Sequence, residues 1–242
     1  MQQRYLGDVH DFIKLFYLKI LSKKLETKIG LNWYLVKTEI LGNNEKKLND
    51  GEKRGFLKSS YFRSLDVNIF NELIIFKNKQ KREIKQFTKT THLKKYIKFY
   101  NQPIPISNRK KWYQNSILYF KENEVIFLDA DNGLKPKGVK AGSKKSIKYI
   151  NLDELKNLYN QNKTIIFTQF QSYNTNHKIY IKKKVDLIKN IIGLEVNCPI
   201  IRNRTSPNTF FITISQEKHS QTLINIINGF VKQHNFCEIV KF

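Results

Sequence analysis

The chain has few of the residues that mark secreted, zinc-binding or membrane-spanning proteins. Its 242 residues include only two cysteines, Cys198 and Cys237, too few for a disulfide framework or a cysteine-based zinc site. No apolar run approaches the roughly 18 residues that cross a bilayer, and no signal-peptide core follows Met1. We therefore expect a cytoplasmic protein with no membrane partner. The function favoured below requires no metal and no cofactor.

Acidic residues are also scarce. Twenty Asp and Glu stand against 44 Lys and Arg, which gives a formal net charge of +24. The chain has few glycines and prolines, and 40% of its residues are hydrophobic, a composition typical of a folded protein and not of a disordered one. We therefore expect a folded domain to carry this charge. A strongly basic folded domain is typical of proteins that bind nucleic acid. The sequence predicts a nucleic-acid partner and gives no indication of oligomeric state.

Strand and helix patterns alternate along residues 1–242, without a linker or repeat, and predict one α/β domain. We expect a three-layer sandwich with a mostly parallel central sheet and a C-terminal antiparallel hairpin. The predicted helices are 8–25, 64–76, 92–100, 110–121, 152–161, 178–192 and 222–234. The predicted strands are 31–36, 84–88, 125–128, 164–167, 194–197 and 209–214, the last two forming the hairpin, and residues 41–53 are predicted as a polar loop.

The most informative segment is a buried strand that ends in polar residues. Val125-Ile126-Phe127-Leu128 is followed at once by Asp129-Ala130-Asp131-Asn132-Gly133. Ligands bind at the carboxyl edge of open α/β sheets, so Asp129, Asp131 and Asn132 are candidate catalytic residues. They could position a water and stabilise positive charge on a sugar. An Asx turn with no catalytic role is the alternative.

Two further groups are candidates for substrate binding. Asp8 and His10 open the first helix, where they either cap it or line a pocket mouth. Gln169, Gln171, Tyr173 and His177 follow the strand 164–167 at the same expected edge. Amides there could bind a base edge and Tyr173 could stack on a flipped base, although a solvated loop explains them equally well.

Contacts to a phosphate backbone are expected from lysines after the central strand and from two arginines in the hairpin turn. The lysines lie in the glycine-containing segment 135–148, which is predicted to be a loop. The six candidates are Lys137, Lys140, Lys144, Lys145, Arg202 and Arg204.

The element order resembles that of Rossmann-like methyltransferases, and most closely the adenine-N6 methyltransferases of ribosomal RNA. Gly7-Asp8-Val9-His10-Asp11 stands where that family has a Gly-x-x-x-Asp helix start, and Asp129-Ala130-Asp131-Asn132 where it has Asp-Pro-Pro-Tyr. This resemblance implies S-adenosylmethionine as cofactor. The turn after the first predicted strand, Lys37-Thr38-Glu39-Ile40, lacks the glycines that such a cofactor needs.

The strand tip is also similar to that of uracil-DNA-glycosylase-type enzymes, which carry a carboxylate or amide directly after a strand and a glycine-containing loop beyond it. Asp129 to Gly133, with Gly138 and Gly142 downstream, is similar in kind, although the Pro-Tyr and His-x-x-Pro patterns are missing. This resemblance implies base flipping and hydrolysis of an N-glycosidic bond.

The sequence thus favours a DNA glycosylase acting on a modified or non-standard base, with DNA preferred to RNA. Three alternatives stay open: a methyltransferase-like protein, a metal-dependent nuclease and a non-catalytic nucleic-acid-binding module. A nuclease would need a third acidic ligand, for which Asp8, Asp11 and Asp153 are the candidates.

Overall fold

A mixed seven-stranded sheet lies at the centre of the computed structural model, which describes residues 1–42, 53–172, 174–205 and 207–241. The strand order is β2-β1-β3-β4-β6-β5-β7. Strands β1 to β4 are parallel, whereas β6 is antiparallel to both β4 and β5, and β7 is antiparallel to β5. The strands are β1 (Ile29–Asn32), β2 (Ile97–Tyr100), β3 (Val125–Leu128), β4 (Thr164–Phe170), β5 (Ile201–Asn203), β6 (Thr209–Ile214) and β7 (Cys237–Ile239).

Helices connect the strands, with short 3-10 segments between them. Asp8 caps the first helix by accepting a hydrogen bond from the Asp11 amide. The helices in the described part are α1 (Val9–Lys24), α2 (Thr38–Leu41), α3 (Ser60–Leu65), α4 (Val67–Ile74), α5 (Ile84–Thr90), α6 (Arg109–Tyr119), α7 (Leu152–Asn160), α8 (His177–Ile192) and α9 (Glu217–Gln233).

Each face of the sheet has its own apolar core. Alternate residues of a strand point to opposite faces, so Val125 and Phe127 belong to one core and Ile126 and Leu128 to the other. The first core is completed by α1, α4 and α9, and the second by α6, α7 and α8. All four residues of β3 are therefore buried, which explains the uninterrupted apolar run before the polar tip.

The structure confirms the expected α/β class, with parallel strands in the N-terminal part and antiparallel strands in the C-terminal part. Several element predictions are wrong. Residues 84–88 are helical, because Ile84 and Phe87 are spaced to bury one helix face. The segment 92–100, predicted as a helix, is a 3-10 turn followed by β2.

The predicted hairpin exists, but its first strand is different. Strand β6 pairs with Ile201–Asn203, whereas residues 194–197 form no strand, and β7 was not predicted. The first strand is Ile29–Asn32 rather than 31–36. Part of the predicted loop 41–53 lies outside the described residues.

No helix in the described part of the chain is both long and apolar enough to span a membrane.

Candidate functional site

A pocket of about 360 Å³ lies at the carboxyl ends of β3 and β4, beside the start of α1. Its size is at the lower end of the roughly 300–1,000 Å³ typical of small-molecule sites. Its lining residues come from the chain start, α1, the loop after β3, the end of β4 and the start of β6. They are Met1, Gln2, Tyr5, Asp8, His10, Asp11, Lys14, Asp129, Ala130, Asp131, Asn132, Lys148, Thr168, Phe170, Gln171, Pro207, Thr209 and Phe211.

Asp129, the first residue of the tip, is buried in a hydrogen-bond network. Its amide donates to the Asn32 carbonyl at 2.9 Å, which ties the tip to β1. Its carboxylate accepts from Lys14 Nζ at 2.6 Å and from Thr168 Oγ1 at 3.3 Å. Burial raises the pKa of Asp129, and the neighbouring Lys14 ammonium opposes that rise. Asp129 therefore organises the floor of the pocket.

Lys14 lies between two carboxylates beneath the pocket. Its Nζ atom is 2.7 Å from Asp11 Oδ1 and 2.6 Å from Asp129 Oδ2, and it lies 4.5 Å from the centre of the Trp33 ring. Burial alone would lower the pKa of Lys14, but the two carboxylates raise it above its ordinary value. The lysine is consequently charged at neutral pH and neutralises the acids that surround it.

Asp131 and Asn132 lie closer to the pocket opening. Asp131 Oδ2 accepts a 2.7 Å hydrogen bond from Gln2 Nε2, and Asp131 Oδ1 is 3.2 Å from the amino group of Met1. The Asn132 backbone amide donates to the Lys148 carbonyl at 3.0 Å. The Asn132 side chain is partly exposed and has no hydrogen-bond partner among the described residues. Its amide is thus available to a ligand or a water.

Asp8 and His10 both line the pocket, so the helix start serves as cap and as wall. Burial and the adjacent Asp11 carboxylate raise the pKa of Asp8 well above its usual value. Burial lowers the pKa of His10 to about 4, so this imidazole is neutral at pH 7. His10 packs edge-on against Phe170, with ring centres 5.5 Å apart, and its Nε2 atom has no partner within the described ranges.

Gln169 does not line the pocket, because its amide is engaged with protein groups. Its Oε1 atom accepts from the Leu134 amide at 2.9 Å, and its Nε2 atom donates to the Asn132 carbonyl and the Tyr180 hydroxyl. Gly133 lies beneath it with φ of +74°, where an added Cβ would be 2.3 Å from Gln169 Oε1. Gln169 thus holds the loop after β3, and glycine is required at 133.

The other predicted substrate-binding residues differ in position. Gln171 lines the pocket, and its Oε1 atom accepts from Asn208 Nδ2 at 3.0 Å. His177 begins α8 and is not among the lining residues, and burial together with Arg202 lowers its pKa. Tyr173 lies outside the described residues.

The candidate phosphate contacts fall into two groups. Lys137, Lys140, Lys144 and Lys145 are exposed in the segment after β3, and no carboxylate of the described chain pairs with them. Both arginines instead pair with Glu238, Arg202 at 2.7 Å and Arg204 at 3.9 Å. The two arginines therefore already have an acidic partner on β7, whereas the four lysines have no acidic partner among the described residues.

Several residues that line the pocket were not selected from the sequence, among them Gln2, Thr168 and Phe170. Thr168 and Phe170 occupy alternate positions near the end of β4, a period-2 pattern that could have placed them together at the edge of the sheet. No sequence pattern indicates that Gln2 lines the pocket, because its contact with Asp131 joins residues 129 positions apart.

The crevice between β1 and β3 is filled by the chain itself. The Met1 amino group donates to the carbonyls of Tyr34 and Asp129, both at 3.0 Å, and the Met1 carbonyl accepts from the Val36 amide at 2.9 Å. Trp33 and Tyr34, which follow β1, are completely buried. In α/β sheets a ligand often binds between two neighbouring strands whose connections run in opposite directions, which here are β1 and β3. Residues 1 and 2 and the side chains of Trp33 and Tyr34 occupy that position.

Across the described ranges, no group of three or more His, Cys, Asp or Glu side chains is arranged to hold a metal ion. Comparison with known proteins gives no relationship either: no family model matches the chain, and no curated protein or solved structure is significantly similar to it.

Proposed function

We propose that the pocket accepts a nucleotide flipped out of DNA and that the protein hydrolyses its N-glycosidic bond. The observation that carries this proposal is that two adjacent polar side chains line one pocket: the Asn132 amide, which has no partner among the described residues, and the buried carboxylate of Asp131. Phe170 and Phe211 supply apolar walls suited to a planar base. A glycosylase needs these two polar groups, one to orient water and one to oppose positive charge on the sugar.

The distribution of charge supports a nucleotide as the ligand. Four carboxylates line the pocket of a chain whose net charge is +24, namely those of Asp8, Asp11, Asp129 and Asp131. Lys14 and the Met1 amino group offset part of this negative charge, so the pocket interior has no surplus of cations for a phosphate and suits a neutral base. The exposed lysines of the segment 135–148 would attract the phosphates outside.

The chain's own groups suggest the following sequence of events. The bond between C1′ of the sugar and the base nitrogen lengthens, and the Asp131 carboxylate stabilises the positive charge that develops on the sugar. A water held by Asn132 bonds to C1′ through its oxygen as the glycosidic bond breaks. The proton of that water passes to Asp131 and then to the departing base, so that charge is balanced. Asp129 and Lys14 hold the loop in position.

A methyltransferase-like protein is the second candidate, and the sheet is the observation in its favour. We infer that the two cores and their helices form a three-layer sandwich around the sheet. The order of strands and helices, with antiparallel strands at the C-terminal side, is the feature on which that resemblance rests. The cofactor does not fit the residues present, however. The crevice after β1 holds Trp33, Tyr34 and Met1, and no glycine follows the strand before Gly42.

A nuclease is less well supported by the site. Lys14 Nζ lies between Asp11 and Asp129, where a metal ion would have to bind, and Asp153 is on α7 outside the pocket lining. A binding module without catalysis remains the fourth candidate, and it requires that Asp131 and Asn132 serve only the turn.

One assay separates the glycosylase and the nuclease from each other and from the other two functions. DNA that carries single modified or non-standard bases is incubated with the protein without added cofactor, and strand breaks are counted before and after alkali. Breaks that appear only after alkali indicate abasic sites and support the proposal. Breaks without alkali would indicate a nuclease, and no breaks across the panel would contradict the glycosylase. The Asn132→Ala protein serves as the control, since it should bind DNA and leave the bases intact.

A further inference from the structure

Asp8 lies in the wall of the pocket with one of its two carboxyl oxygens unused. Oδ1 accepts the capping hydrogen bond from the Asp11 amide at 3.0 Å, whereas Oδ2 has no partner among the described residues. Asp8 lines the pocket and is only 4% exposed, but Oδ2 is not one of the unpartnered side-chain atoms that are sealed from solvent. This oxygen is therefore open to a molecule bound in the pocket.

The cations near Asp8 are bonded to other groups. Lys14 Nζ contacts the carboxylates of Asp11 and Asp129, at 2.7 and 2.6 Å. The Arg54 guanidinium donates to two backbone carbonyls just before Asp8, at 2.7 and 2.8 Å. Asp8 consequently has no ion-pair partner in the described part of the chain, although it is buried beside another acid.

These surroundings favour the acid form of Asp8. Burial and the Asp11 carboxylate raise the pKa of Asp8, and they outweigh the capping hydrogen bond, Lys14 and Arg54, which act in the opposite direction. His10, which also lines the pocket beside the helix start, is uncharged at pH 7 and so does not stabilise a carboxylate there. A buried carboxylic acid that faces a pocket is suited to donate a proton to a bound substrate.

We propose that Asp8 is the general acid of the reaction and that the substrate is a modified or non-standard purine nucleotide, an inference that rests on the function proposed above. The Oδ2 hydrogen passes to N7 or N3 of the purine while the bond between C1′ and N9 breaks and its electron pair moves onto the base. Asp8 is left as a carboxylate. It regains a proton from Asp131, which has taken one from the attacking water, so Asp8 relays the proton of the water to the base.

The chemistry of the departing base selects a purine. The acid needs a ring nitrogen with a free lone pair, and a proton on N7 or N3 offsets the negative charge that develops at N9. Uracil has no such nitrogen, and its carbonyl oxygens are much weaker bases. Asp131 differs from Asp8 in lying 3.2 Å from an amino group, that of Met1. The pocket thus contains one carboxyl group beside a cation and one without, as a division between anion and acid requires.

The test measures release of bases from DNA that carries a single hypoxanthine, 8-oxoguanine, N6-methyladenine, 7-methylguanine or uracil. 7-Methylguanine is already cationic and leaves without an acid. Asp8→Asn keeps the helix cap and the size of the side chain but has no proton to transfer. Its turnover should fall by about 10²-fold on the uncharged purines and change little on 7-methylguanine, with DNA affinity unchanged.

The wild-type protein provides a readout that does not depend on the folding of a variant. Its turnover on hypoxanthine should decline as pH rises through the pKa of Asp8, because the acid form is lost, and turnover on 7-methylguanine should not show this decline. Asn132→Ala is the matched control. It removes the amide proposed to hold the water, so it should slow release of both bases equally.

Equal losses on hypoxanthine and 7-methylguanine in Asp8→Asn would overturn the acid role, and so would release of uracil with no purine. If only uncharged purines are released, a decline with rising pH that persists in Asp8→Asn would overturn it as well. In each of these cases the protein still hydrolyses a glycosidic bond, so the function proposed for the pocket stands. Failure to release any of the bases would contradict both proposals.

Discussion

Lys14 Nζ lies 2.6 Å from Asp129 Oδ2, and this contact joins the first helix to the tip of the central strand across 115 positions of sequence. The same ammonium also contacts Asp11. A buried cation shared by two carboxylates makes all three groups mutually dependent, because removing one leaves an uncompensated charge.

Lys14→Met keeps the approximate length of the side chain and removes its charge. We expect the free energy of unfolding to fall by about 3–5 kcal/mol, since Asp11 and Asp129 would then be buried without their cation. Denaturant titration monitored by circular dichroism measures this change. The triple variant Lys14→Met/Asp11→Asn/Asp129→Asn should recover part of the loss, and a Lys14→Met protein as stable as wild type would contradict the ion-pair account.

The neutral state of His10 predicts a pH dependence of stability. Its pKa is about 4 in the folded protein and near its ordinary value of 6.5 when unfolded. The unfolded chain therefore binds the extra proton between those values, and folding stability falls as pH is lowered from 6.5 to 4. Allowing for some solvent screening, this contribution is roughly 2–3 kcal/mol.

The measurement compares wild type with His10→Gln by denaturant titration at pH 4, 5, 6 and 7. Wild type should lose more stability than the variant towards pH 4, because glutamine does not titrate, and the other titrating groups cancel in the difference. Parallel stability curves for the two proteins would show that His10 is protonated as easily in the folded state as in the unfolded chain.

Asp131→Asn and Asn132→Ala test the strand tip directly. If the two residues act on substrate, turnover per folded molecule should fall by about 10²-fold or more in each variant, the scale of a lost acid–base group, while DNA affinity stays close to that of wild type. Asn132→Ala should also keep its melting temperature, whereas Asp131→Asn loses the ion pair with the Met1 amino group and should melt earlier. Gln169→Ala is the matched control. Its amide binds the loop but does not line the pocket, so that variant should melt earlier and lose less turnover per folded molecule than the two tip variants. Full turnover in folded Asp131→Asn protein would show that Asp131 is not a catalytic residue.

Lys144→Ala/Lys145→Ala tests the proposed contact with the DNA backbone. Affinity should fall by about 1–2 kcal/mol, and the slope of log affinity against log salt should become less steep by about 1.8, or 0.9 for each phosphate contact. The control, Lys121→Ala/Lys218→Ala, removes the same charge near the amino end of β3. If both double variants bind equally, the segment 135–148 does not face DNA.

The sequence predicts local features far better than distant contacts. Strand β3 has the predicted bounds, because four apolar residues buried on both faces give an unambiguous pattern. Strand β5 was misplaced because Ile201-Arg202-Asn203 is short and carries a central charge, whereas Leu194 to Asn197 alternates like a strand. Tertiary pairing with β6 outweighed that preference.

The same limit applies to the candidate site. The tip residues and the helix start were identified from polar residues next to apolar runs, and they line one pocket. The roles of Lys14, Gln2 and Gln169 depend on contacts with the loop after β3 that span 115, 129 and 35 positions. Periodicity shows which face a side chain occupies, but it does not show which distant residue it meets there.

The insertion of β6 between β4 and β5 also sets an order of assembly. Strand β4 precedes its antiparallel partner by about 40 positions, and over Ile165 to Phe170 each residue of β4 pairs with one of β6. While the ribosome makes the intervening residues, that side of β4 is an open, apolar edge that can pair with another nascent chain. Thr209 and Phe211, which close the pocket, arrive on the same late strand. The closing of the β4 edge and the completion of the pocket therefore depend on the same strand, β6, and slow translation between residues 170 and 209 would lengthen the period in which this edge is open to aggregation.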